Sequence, residues 1–165
     1  MNKNTENVDK KLEEICEAIK SIPNIGLNYI EYFSAFIYAI YQDVERYEKM
    51  IKSEMQVQQI LNEIENELRR IRIKESSKKL FVNIQFYETI NLEYYEIVKK
   101  IIEEIIGIIK SETKSNLAKG FENILDKSAE KNELILQDGE YYTPRTIIET
   151  MVNLLDIKDN TSIYN

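Results

Sequence analysis

With 165 residues, 43 % of them hydrophobic, the chain can form one cored domain, or one domain with an appended piece. Four Gly and two Pro beside abundant Ile, Leu, Glu and Lys favour long helices over a many-turned sheet. A net charge of −7 argues against an autonomous nucleic-acid binder, though not against DNA contact inside a larger basic assembly, and the lack of histidine excludes Ser–His and Cys–His nucleophile pairs, Cys/His zinc sites and Glu-x-x-His di-iron sites.

The chain opens on the polar stretch "MNKNTENVDKK", which has no signal-peptide pattern. No apolar run approaches the ~20 residues of a membrane span, so no membrane contact is expected. Val8, Leu12, Ile15, Ile19 and Ile22 are spaced 4, 3, 4, 3 and form the apolar stripe of a first helix. Cys16, the single cysteine, rules out an internal disulfide framework and fits a reducing cytoplasm. Pro23 stops this helix by disfavouring helical geometry in the residue before it. A second stripe runs from about Leu27 through Phe33, Phe36, Ile37, Ile40, Val44, Tyr47 and Ile51. A third follows at Val57, Ile60, Leu61, Ile64, Leu68 and Ile71, either as a separate helix or as an extension of the second.

"KKLFVNIQFYETI", within residues 78–90, is ambiguous: Leu80, Val82, Ile84 and Phe86 alternate as in a strand, while Leu80, Ile84 and Tyr87 also fit a helix. A lone strand would lack a partner, which favours a helix or an irregular connection. Asn91 can cap the next helix through its side chain, and Tyr94, Val98, Ile101, Ile105 and Ile108 form that helix's apolar side. Leu117, Phe121, Ile124 and Leu125 mark a shorter helix. The reading is a bundle of five or six helices. The adjacent carboxylates Glu13/Glu14 and Glu103/Glu104 point about 100° apart on a helix and are read as solvated faces.

Tyrosine is over-represented, with 11 residues and no Trp. Tyr29, Tyr32, Tyr38, Tyr41 and Tyr47 cluster on the second stripe. They could offer a stacking surface for bases or a partner interface, or pack with rings inside and hydroxyls at the rim. The lack of interleaved Arg and Lys favours packing.

Asp138-Gly139 interrupts the helical pattern, and Thr143-Pro144 opens a new helix, with threonine able to cap and proline suited to the first helical position. Ile147, Ile148, Met151, Val152, Leu154 and Leu155 give that helix an apolar face, and "TSIYN" reads as the start of a strand. A capped terminal helix with a frayed tail is the plainer alternative.

The residues "DGEYYTPRTIIETMVNLLDIKDNTSIYN" closely resemble the segment leading into the methyltransferase domain of type I restriction-modification M subunits. Those subunits are adenine-N6 DNA methyltransferases that use S-adenosylmethionine. Gly139, Glu140, Tyr141, Tyr142, Thr143, Pro144 and Arg145 match the family pattern at every position. Upstream, "LEEICEAIKSIPNIGLNYIEYFSAFIYAIYQD" and "LAKGFENILDKSAE" are similar in pattern to the family's N-terminal helical domain and its last helix. Residues 56–110 carry no family motif.

The resemblance implies an all-α N-terminal bundle over residues 1–136, then residues 137–165 as the truncated first helix and strand of an α/β methyltransferase domain. It implies that Glu140, Tyr141, Tyr142, Thr143, Pro144 and Arg145 border the S-adenosylmethionine pocket. It further implies that the helical domain serves assembly with a specificity subunit and a second M subunit and clamping of DNA by that complex, while leaving open whether a restriction subunit is a further partner. The family's Asp-Pro-x-x-Gly-Ser/Thr-Gly turn would begin where the chain stops, with Asn at the aspartate position, and Asn-Pro-Pro-Tyr/Phe does not occur. The expectation is therefore an N-terminal fragment with no methyltransferase activity of its own and weak or no cofactor binding. The rival is a stand-alone helical interaction module, regulatory or antitoxin-like, whose Thr-Pro helix start is structural only.

Overall fold

The computed structural model describes residues 3–74 and 84–130, with side chains described over 7–70 and 84–128. Among these residues there are seven α-helices and no strand: α1 (Lys3–Lys20), α2 (Tyr29–Gln42), α3 (Val44–Lys52), α4 (Val57–Lys74), α5 (Phe86–Thr89), α6 (Tyr95–Ser111) and α7 (Lys114–Glu130). The all-α expectation holds. The count of five or six becomes six long helices and a single turn, α5.

α2 is the axis of the bundle. From Tyr29 to Ile40 every residue except Glu31 is buried, which is the signature of a helix covered on all sides. Its neighbours α1, α4 and α6 pack around it. The expected α1 stripe, Val8, Leu12, Ile15, Ile19 and Ile22, is buried in full. So are Val57, Ile60, Leu61, Ile64 and Leu68 of α4, and Val98, Ile101, Ile105 and Ile108 of α6; Ile102 and Ile106 widen the α6 face beyond the expected line. Phe86 of α5 enters the same core, 4.5 Å from the Phe36 ring and edge-on to Tyr32 at 5.4 Å. Aromatic pairs at such separations add stabilisation beyond area burial.

The tyrosines are packing residues. Tyr29, Tyr32, Tyr38 and Tyr47 are buried and Tyr41 is partly so. Tyr32 shares a hydrogen bond of 2.8 Å with the Thr89 hydroxyl, tying α2 to α5.

The second stripe is not one helix, and two of its expected limits shift. Leu27 lies in a 3-10 turn ahead of α2 and is 62 % exposed. At the other end Asp43 leaves helical geometry (φ −153°, ψ 70°), and its carboxylate accepts the Arg46 N–H at 3.1 Å. It thus ends α2 and caps α3, while Val44, Tyr47 and Ile51 keep the stripe in phase across the break.

The α3–α4 boundary, open in the sequence, is a turn with a left-handed residue. Glu54 has φ 55°, its N–H bonds to the Ile51 carbonyl, and the Met55 N–H bonds to the Met50 carbonyl, both at 3.1 Å. This is the Schellman pattern, in which the last helical carbonyls are satisfied from beyond the helix end. It usually uses glycine; glutamate accepts some strain to make it. Met50 and Met55 both pack on the core beside the turn.

Of the ambiguous segment, Ile84 to Ile90 is described and contains α5, with Ile84 and Phe86 buried; residues 78–83 lie outside the described residues. Asn91 does not cap as expected. It precedes a 3-10 turn, Leu92–Tyr94, with no side-chain capping bond, and α6 begins at Tyr95. Tyr94's own N–H is satisfied by the Asn91 carbonyl at 3.0 Å, so the turn needs no side-chain acceptor.

α3 is fastened from outside by charge. Lys110 of α6 donates to Glu48 at 2.7 Å and lies 3.6 Å from Glu45. Arg46 pairs with Glu63 and reaches Glu67 of α4 at 3.9 Å. Beneath these pairs the Tyr47 side chain is fully buried, and its hydroxyl has no hydrogen-bond partner.

Candidate functional site

The expected site residues Glu140, Tyr141, Tyr142, Thr143, Pro144 and Arg145 lie outside the described residues, as does the proposed division at 136/137. What the structure gives is the helix that leads toward them, α7, and the way it is fixed.

α7 starts at Thr113, whose side chain accepts the Asn116 N–H at 3.2 Å and whose carbonyl accepts Leu117 N–H at 3.0 Å. That is N-capping by threonine. Leu117, Ala118, Phe121, Ile124 and Leu125 then recur at helical spacing and are buried. Phe121 stacks on Phe33 of α2, centroids 5.3 Å apart and planes within 10°.

Against α1 the approach at Gly120 is close. A Cβ on Gly120 would meet Leu12 Cδ1 at 2.6 Å and Asp9 Oδ1 at 3.2 Å. Beside this contact Asn123 donates to Asp9 Oδ2 at 2.8 Å, while Asp9 Oδ1 is buried without a hydrogen-bond partner. Further along, Tyr29 donates to Ser128 Oγ at 3.0 Å inside the core, and Lys127 pairs with Glu13. One carboxylate of the Glu13/Glu14 pair therefore bridges two helices. Glu14 pairs within α1 to Lys10 at 3.7 Å, and Glu103 and Glu104 are exposed, as their reading as solvated faces implies.

None of these locks was legible as a functional signal in the sequence, because the partners stand about a hundred residues apart. An isolated glycine inside a helical pattern was the one available hint of close packing.

A hollow of about 220 Å³ lies where α1, α2 and α7 meet, lined by Glu13, Cys16, Glu17, Tyr29, Ile124, Lys127 and Ser128. Ligand pockets usually occupy roughly 300–1,000 Å³. A second depression, about 590 Å³, is shallow and bounded by Tyr87, Leu92 and Tyr95; burial, then the neighbouring Tyr87, raises the Tyr95 phenol pKa. A third, about 390 Å³, lies open along α3 between Asp43 and Met55. None of the three fits a cofactor the size of a nucleoside amino acid: the first is too small, and the others do not enclose.

Among the described residues no group of three or more Cys, Asp or Glu converges to hold a metal ion. No described helix is long and apolar enough to cross a membrane.

None of the curated proteins matches the chain, and none of the solved structures does. Among protein-family models, that of the N-6 DNA Methylase family matches residues 112–165. The match starts at the α6–α7 junction, takes in α7 and residues 139–145, and relates the C-terminal third of the chain to N-6 DNA methylases.

Proposed function

We propose that the chain is the N-terminal helical part of a type I restriction-modification M subunit, ending in the first turn of an S-adenosylmethionine site. The observation that carries this reading is the N-6 DNA methylase match over residues 112–165, which contains the unbroken run Gly-Glu-Tyr-Tyr-Thr-Pro-Arg at 139–145. In this reading residues 1–136 are the helical domain and 137–165 begin the methyltransferase domain. α7 belongs to the first and delivers the chain to the second.

The turn suits its assigned role chemically. In this reading Thr143-Pro144 opens a helix, whose unpaired N–H groups would favour a carboxylate such as that of the cofactor. Tyr141 or Tyr142 can pack on an adenosine ring, and Arg145 can pair with a carboxylate of ligand or protein. Glu140 stands in the same turn. The bundle's acidic charge suits contact with protein partners, here the specificity subunit and a second M subunit in a cytoplasmic complex.

Two measurements test this. The reading frame beyond codon 165 should encode a Gly-rich turn and then Asn-Pro-Pro-Tyr/Phe; a stop codon there overturns the reading. In that longer protein, calorimetry should show Tyr141→Ala with Tyr142→Ala weakening S-adenosylmethionine binding about tenfold, as the loss of a good aromatic contact implies. Arg145→Ala should weaken binding or destabilise the turn. Unchanged affinity in both variants, with folding intact, returns the turn to a structural role.

A further inference from the structure

Charge on α4 is sorted by face. Its inner residues Val57, Ile60, Leu61, Ile64 and Leu68 are buried. Its only acids, Glu63, Glu65 and Glu67, are half-buried along the flanks, and each is engaged. Glu63 holds Arg46, Glu65 accepts the Tyr87 backbone N–H at 3.1 Å, and Glu67 lies 3.9 Å from Arg46. The outward ridge that remains is Gln59, Asn62, Asn66, Arg69 and Arg70, all exposed, all hydrogen-bond donors, and without a carboxylate.

The two arginines are only loosely occupied. Their side chains are 61 % and 64 % exposed and stand 3.5 Å and 3.4 Å from Glu65 and Glu67 of the same helix. Exposed pairs of this kind are worth about 0.3–0.5 kcal/mol, so a phosphate can displace them. Residues 69–74, "RRIRIK", hold four basic residues in six, and no other six-residue window of this acidic sequence does so. Complementing the helix dipole acts only within the last turn and does not account for an acid-free ridge reaching back to Gln59.

We propose that this ridge of α4 contacts the phosphate backbone of duplex DNA, an inference that rests on the DNA-methylase reading above. Guanidinium groups and side-chain amides are the donors that proteins turn toward phosphate oxygens, and such contacts position a protein without reading sequence. From Gln59 to Arg70 the ridge runs about 16 Å, which follows roughly five base steps. The acidic remainder of the chain keeps the contact local and weak when the chain acts alone, and it adds to the grip of a larger complex.

The test is a nuclear magnetic resonance titration of the whole 165-residue chain with a 20-base-pair duplex of mixed sequence at 50 mM salt. The side-chain amide signals of Gln59, Asn62 and Asn66 and the Nε–H signals of Arg69 and Arg70 should move. The response should weaken about tenfold by 200 mM salt, as two phosphate contacts require. Arg69→Gln with Arg70→Gln, a helix-neutral change, should abolish most of it, whereas Lys10→Gln with Lys11→Gln on α1 should leave it intact. No response, a response that survives the α4 double variant, an equal loss in the α1 variant, or an equal response to polyglutamate overturns the proposal. S-adenosylmethionine binding by the longer protein is measured separately. A cofactor result that stands beside a failed titration removes the ridge and keeps the methylase reading.

Discussion

α7 and α3 both lie against the core built on α2, and they are held there by different physics. α7 is set mainly by shape: Phe121 stacks on Phe33, and Gly120 faces α1 so closely that an added Cβ would have to displace the Leu12 methyl. α3 buries Tyr47 in the core and adds a fringe of charge, through Glu48–Lys110 on one side and Arg46 with Glu63 and Glu67 on the other, over a buried hydroxyl that has no partner. Close apolar packing is costly to disturb and indifferent to salt. Exposed ion pairs contribute little each and depend on pH and ionic strength. α7, the helix that precedes residues 139–145 in the sequence, is thus held mostly by close packing.

The comparison breaks most sharply at Phe121. Phe121→Ala should cost about 3–5 kcal/mol, read as a lower urea midpoint with an unchanged slope. A loss below about 1 kcal/mol would mean that the stack is ornamental. Gly120→Ala comes next: the helix gains roughly 0.5–1 kcal/mol in propensity, but the overpacked contact with Leu12 and Asp9 costs more, for a net loss of roughly 1–2 kcal/mol. The same change at Gly107 meets nothing within 4 Å and should be mildly stabilising, so opposite signs at the two glycines are the expected calorimetric result.

On the α3 side, Tyr47→Phe removes the unpartnered hydroxyl. Because an unsatisfied buried polar group costs free energy, the variant should be as stable as the parent or up to ~1 kcal/mol better. Burial, then the charge of Glu67, pushes the Tyr47 phenol pKa far up, so the group stays neutral under ordinary conditions. A large loss would reveal a hydrogen bond in solution.

The smallest effect is the pH dependence of the α3–α6 clip. The hydrogen bond from Lys110 holds the Glu48 carboxyl below the usual 4.5, and Glu48 in turn raises Lys110 above 10.5. A depressed carboxylate contributes stability above its unfolded value and loses it as pH falls through the folded one; a raised ammonium contributes below its unfolded value and loses it as pH rises through the folded one. Lys110→Met should therefore be slightly less stable than the parent between those limits. In acid below the folded Glu48 value, or in 1 M salt, the two should converge. A gap that persists in acid would assign the loss to packing of the lysine stem.

Periodicity carried the reading of α1, α6 and α7, because each has one buried face at 3–4 spacing and a polar remainder. It failed at Asp43, where Ile40, Val44, Tyr47 and Ile51 stay in phase through a real helix end. It left the break at Glu54 open, because the residue there is not the glycine that a left-handed turn usually announces. Asn91 was over-read: the chain satisfied its local N–H group through a backbone carbonyl instead. At the candidate site the balance is reversed. Residues 139–145 speak through resemblance and a family match, while the contacts that seat α7, such as Asp9 with Asn123, join positions that no local pattern connects.

The close seating of α7 sets where this protein can be divided. The family match begins at residue 112, yet a chain truncated there would carry Leu117, Phe121, Ile124 and Leu125 into water and leave Phe33 uncovered on the other piece. Contiguous apolar surface of that kind drives aggregation. The boundary that similarity draws and the boundary at which a piece can be purified are therefore different places, and α7 should travel with the helices upstream of it.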